Sequence, residues 1–144
     1  MRYLLDVNLW IALLDDAHTH SARANAFIGK RGIKIATCPL VENGVIRVLN
    51  LPGYGLRGAI GIDQVRTQLK RATTLLDHEF WPDDVSVLDD TRIDFSKVLG
   101  HNQITDVYLL ALAVAHRGAL VTFDQRIALA AVKGAADKHL IFLR

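Results

Sequence analysis

Short apolar runs alternate with stretches of helical periodicity along the whole chain, and this alternation constrains the fold more than any other feature. "RYLLDVN", "IKIATCP", "VSVLD", "ALVTFD" and "HLIFLR" read as strands. Between them, "LWIALLDD" is a helix with Asn8 available as its cap, and "HSARANAFIGKRG" is a second helix closed by basic residues and Gly32. "PLVENGVIRVL" carries Pro39 in its first turn, where proline is tolerated. "IDQVRTQLKRATTLLDHEF" places Ile62, Val65, Leu69, Ala72 and Leu76 at helical spacing. "TRIDFSKVLG", with Thr91 as N-cap, "ITDVYLLALAVAHRG" and "QRIALAAVKG" complete the set. Continuous apolar strands joined by helical crossovers imply a parallel sheet flanked by helices on both faces, an α/β/α sandwich of Rossmann-like type. No repeat, low-complexity tract or linker interrupts it, so residues 1–144 are expected to form a single domain.

Composition narrows the function. A single cysteine, Cys38, excludes a disulfide framework and a multi-cysteine zinc site. The histidines are scattered and form no metal set. The opening residues are too short and acidic for a signal peptide, and the longest apolar run, Val107 to Ala115, is too short to span a bilayer. A soluble, cytoplasmic protein with no membrane partner is expected. A net charge of +2 and a pI near 8.9 are compatible with nucleic acid without demanding it. Among the acids, Glu42 and Glu79 are the only glutamates; the rest are aspartates, a residue favoured at caps, turns and metal sites.

Four acids sit where a site would form. Ligands of open α/β sheets bind beyond the carboxyl ends of the strands. Asp6 ends the first apolar run and Asp124 the fourth, Glu42 lies in the first turns of the helix after the second, and Asp106 opens the most apolar helix. Each has an ordinary reading as turn, cap or helix-dipole residue. Together they converge on one sheet edge, where mutual repulsion raises carboxyl pKa values unless a hard divalent cation is present.

"LLDVNLWIAL", Glu42, "ITDVYLLALA" and "LVTFD", in this order, resemble the acidic signature of PIN-domain nucleases, and most closely the VapC toxins of VapBC toxin–antitoxin pairs. The resemblance covers essentially the whole chain. It implies a PIN-like fold, an Mg²⁺- or Mn²⁺-dependent endoribonuclease acting on tRNA, rRNA or mRNA, a VapB-like antitoxin and a homodimer. Carried over by position, Asp6, Glu42, Asp106 and Asp124 are the catalytic and metal-binding set, with Asn8 and Thr122 supporting it. Many members carry another acid where this chain has Arg126, so one well-held ion is expected rather than two. A metal-activated water would attack the phosphodiester in line. Arg66, Lys70 and Arg71 on one predicted helix, with Arg47 and Arg57 flanking a Gly-rich loop, are the candidate phosphate contacts. Two rivals stand beside this reading. One is a phosphatase or phosphotransfer enzyme with an acidic Mg²⁺ pocket, although an Asp-x-Asp motif is lacking because the second position is Asn8. The other is a non-catalytic PIN-like binding module.

Overall fold

The computed structural model describes residues 1–54 and 61–144. Strands β1 (Tyr3–Leu5), β2 (Lys34–Thr37), β3 (Asp77–Phe80), β4 (Ala119–Thr122) and β5 (Leu140–Phe142) form one all-parallel sheet in the order β3-β2-β1-β4-β5. The helices are α1 (Val7–Leu14), α2 (Ser21–Ile28), α3 (Pro39–Leu49), α4 (Ile62–Leu75) and α5 (Ile104–Ala115). Successive strand residues point to opposite faces. Leu4 and Leu5 of β1, Ile35 and Ala36 of β2, and all of β4 are nevertheless buried, so both faces of the central strands are covered. Helix α1 packs between α2 and α3, and α3 packs on α4, while α5 lies against β1 and β4. No helix among the described residues is long and apolar enough to cross a membrane.

Strand order reverses between β1 and β4. From β1 the chain builds outward through β2 and β3, then crosses to β4 and β5 on the other side. The crevice at such a reversal is where open α/β sheets bind ligands. Leu5 pairs with Val121, and the Asp6 amide donates to the Val121 carbonyl at 3.1 Å, which puts Asp6 and Thr122 side by side at that point. Close helix packing narrows the crevice. A Cβ at Gly44 of α3 would meet Val7 Cγ2 of α1 at 2.8 Å, so only glycine permits this approach.

Five expectations need correction. The third strand is Asp77–Phe80, not "VSVLD". Its first three residues are polar because β3 is an edge, and Arg2 ties it down, reaching Asp77 at 2.9 Å and Glu79 at 2.8 Å. The expected helices over "TRIDFSKVLG" and "QRIALAAVKG" are only short 3-10 turns, Phe95–Lys97 and Leu129–Ala131. Their backbones bond to each other instead of coiling: Asp94 N to Ala131 O and Lys133 N to Arg92 O, both at 2.8 Å. Asp94, not Thr91, caps the first of these turns. Finally, Asp6 rather than Asn8 caps α1, its Oδ1 accepting from the Leu9 amide at 2.7 Å.

Candidate active site

A cleft of about 730 Å³ opens at the β1/β4 reversal. Asp6, Asp106 and Asp124 line it, from the end of β1, the first turn of α5 and the loop after β4. The fold thus brings three of the four expected acids to one place.

Asp6 is the most deeply held, only 4% exposed. Its second oxygen accepts from the Thr122 hydroxyl, and Thr122 itself is fully buried. Burial pushes the Asp6 carboxyl up to about 6; the Thr122 and Leu9 bonds oppose the rise, while the charges of Asp106 and Asp124 add to it. Asp106 is half-buried and is also raised, first by burial and then by Asp124. Asp124 behaves oppositely. Arg126 grips it in a fork, Nε to Oδ1 at 3.0 Å and a terminal guanidinium nitrogen to Oδ2 at 2.9 Å, and this holds its carboxyl below the usual range. Thr122 joins the two walls, donating to Asp6 and accepting from the Asp124 amide at 3.0 Å.

Glu42 is the exception. It does not line the cleft. On α3 the cleft-facing stripe is Leu40, Asn43, Gly44, Arg47 and Val48, spaced three and four apart as one helix face. Glu42 falls off that stripe. Its carboxylate accepts from the Thr37 hydroxyl at 2.6 Å, and the same hydroxyl lies 2.7 Å from His78 Nε2. Asn43, one residue on, is the cleft-lining side chain at this part of α3. Asp83, Asn102 and Thr105 also line the cleft and were not anticipated. The helical phase of "PLVENGVIRVL" is the available signal for Asn43, and that of "ITDVYLLALAVAHRG" for Thr105, four residues before the cleft-lining Leu109; Asp83 and Asn102 lie outside the long helices, where periodicity gives none.

Asn8 lines the cleft, as expected of a supporting residue, and so does Arg47. Arg66, Lys70 and Arg71 are exposed on α4 and are not among the cleft-lining residues. Arg57 lies outside the described residues.

The donor set is chemically suited to a hard divalent cation. All its charged ligands are oxygen, and Asp6 and Asp106 are both held in the raised range that an added cation would relieve. The ligands are not closed into a finished cage: no cluster of three or more acidic, histidine or cysteine side chains among the described residues is spaced to hold an ion as it stands. Asp6 is turned to Thr122 and Asp124 to Arg126.

The sequence matches the PIN domain family model over residues 3–133. The chain belongs to the PIN-domain family. This PIN domain is 48% identical to ribonuclease VapC44 of Mycobacterium tuberculosis over 144 residues, spanning 99% of this chain and 100% of that one. Its fold resembles that of Mycobacterium tuberculosis VapC20, a sarcin-ricin loop cleaving toxin, with a TM-score of 0.63 at 12% identity, covering 94% of this chain and 97% of that one. It also resembles VapBC2 from Rickettsia felis, solved with a DNA fragment from the promoter, with a TM-score of 0.57 at 17% identity, covering 99% and 97%. At these identities the two structures speak for the fold. The parallel five-stranded sheet expected from the sequence is the PIN arrangement.

Proposed function

We propose that this chain is the toxin of a VapBC toxin–antitoxin pair, a divalent-metal-dependent endoribonuclease acting in the cytoplasm, with residues 1–144 as one catalytic domain. The observation that carries this reading is the meeting of Asp6, Asp106 and Asp124 in one cleft from three distant parts of the chain. Identity of 48% to a ribonuclease over nearly the full length supports it. An antitoxin partner of VapB type is supported by likeness to a VapBC assembly.

Asp6, Asp106 and Asp124 would hold the ion, Mg²⁺ or Mn²⁺. When bound, such an ion supplies a water of lowered pKa and neutralises charge on the scissile phosphate. The protein's own part is positional. Thr122 fixes the rotamer of Asp6 and the backbone of Asp124, as hydrogen-bond partners of ligating carboxylates do. Asn8 and Asn43 present neutral amides at the cleft wall, able to orient a water or a ribose hydroxyl. Arg47, at the end of α3, offers a cation to an adjacent backbone phosphate, while Arg66, Lys70 and Arg71 would engage RNA only beyond the cleft. Water as the nucleophile leaves a 5′-phosphate and a 3′-hydroxyl.

The test is metal-dependent cleavage of total RNA by Asp6→Asn and Asp124→Asn proteins. Both should be inactive while retaining the wild-type circular dichroism spectrum. Wild-type cleavage by either variant would overturn the assignment.

A further inference from the structure

Asp124 and Arg126 are two residues apart, yet their side chains close into a complete fork. Arg126 Nε donates to Asp124 Oδ1 at 3.0 Å and a terminal nitrogen donates to Oδ2 at 2.9 Å. The Arg126 amide adds a third bond to Oδ1 at 2.9 Å. Both oxygens of a cleft acid are therefore engaged by one neighbouring residue. The backbone of Arg126 is pinned independently, because Gln103 Nε2 donates to its carbonyl at 3.0 Å. The guanidinium is not pinned: its side chain is 73% exposed, against 27% for Asp124. Bidentate geometry on a fixed backbone, with an exposed head, is the arrangement of a latch that can swing without disturbing the fold.

We propose that Arg126 is a built-in counter-ion for Asp124, which a divalent cation must displace before Asp124 can serve as a ligand. This rests on the metal-cleft reading above. Metal-free, the fork neutralises a cleft acid that is partly open to solvent. Metal-loaded, the ion takes over that role and the guanidinium swings out. The apparent affinity for the ion is then the intrinsic affinity reduced by the fraction of molecules with the latch open. An exposed ion pair of good geometry is worth up to about fivefold in such an equilibrium, and loss of the latch should tighten ion binding by that order. The device depends on the planar fork and not on charge alone, so lysine does not replace it.

The experiment is calorimetric titration of Mn²⁺ into the full chain, with no RNA present, for wild type, Arg126→Gln, Arg126→Lys and Asp124→Asn. The expected result is binding at least threefold tighter in Arg126→Gln than in wild type. Arg126→Lys should lie closer to the Gln variant than to wild type, because it keeps the charge and loses the fork. A shift below threefold for Arg126→Gln overturns the latch. So does an Arg126→Lys protein that binds like wild type, since the effect is then long-range charge. Asp124→Asn separates the two readings. If it binds Mn²⁺ as wild type does, or if no protein in the series binds the ion, the metal-cleft reading falls. If it loses binding while Arg126→Gln matches wild type, only the latch falls.

Discussion

Two buried threonines at the same sheet edge each donate to a carboxylate, and they do different things. Thr122, at the end of β4, donates to Asp6; Thr37, at the end of β2, donates to Glu42. Both threonines are fully buried. The company each pair keeps is what separates them. Asp6 faces Asp106 and Asp124 across a cleft, and the neighbouring charges raise its pKa further. Glu42 meets His78 through the shared Thr37 hydroxyl, and burial is the main cause holding the His78 pKa down. The first pair leaves negative charge looking for a cation. The second is a closed polar bridge between α3, β2 and β3. A threonine-bound carboxylate is therefore no mark of a site; further acids gathered around it are.

The contrast can be broken most sharply at the acids themselves. Asp6→Asn should abolish metal-dependent RNA cleavage, whereas Glu42→Gln should keep it within about threefold of wild type, a fraction of the tenfold that 1.36 kcal/mol represents. Equal loss in both, in an RNA cleavage assay on folded protein, would erase the distinction. The next largest effect is on stability against pH without divalent ions. The folded-state pKa of Asp6 is about 6 against an ordinary 3.8, so the folded protein binds the proton more tightly. Stability from this group is full below pH 3.8 and lost as pH rises through 6, a change of at most about 3 kcal/mol at 1.36 kcal/mol per unit. Chemical denaturation across that window should show the decline in wild type and its absence in Asp6→Asn; Mn²⁺ should also remove it.

Smaller effects sharpen the threonines. Thr122→Val should weaken Mn²⁺ binding by about 10- to 100-fold, the usual loss when the partner of a metal ligand is removed. Thr37→Val should leave Mn²⁺ binding unchanged and lower stability by about 1–3 kcal/mol, because Glu42 loses its donor. Titration calorimetry and urea unfolding separate the two variants. Glu42→Gln should be milder, about 1 kcal/mol, since an amide can still accept the Thr37 hydrogen bond.

The sheet was legible wherever strands are buried on both faces. β1, β2 and β4 are continuous apolar runs because helices cover both sides, and their ends fixed Asp6 and Asp124 without further information. β3 was not legible, because an edge strand reading Asp-His-Glu-Phe shows no hydrophobic signal and depends on Arg2 from the other end of the chain. The apolar residues of "QRIALAAV" looked helical because they are buried. Long-range bonds to residues 92–94 claim their backbone, and no local pattern reports such a partner. Glu42 lies on the expected helix, α3, but is turned to Thr37 and does not line the cleft. The helical phase of Leu40, Gly44 and Arg47 puts Asn43 at the cleft, a relation that acidity alone does not report.

Gly44 has a further consequence. Its hydrogen, where other residues carry a methyl, lets α3 rest on Val7, one residue beyond Asp6. The α3 wall carries Asn43 and Arg47, and the facing wall carries the acids. This contact helps set the spacing of α1 and α3, apart from the acids that line the cleft. Any side chain in place of the Gly44 hydrogen would push the helices apart and widen the bite on RNA, leaving the aspartates untouched.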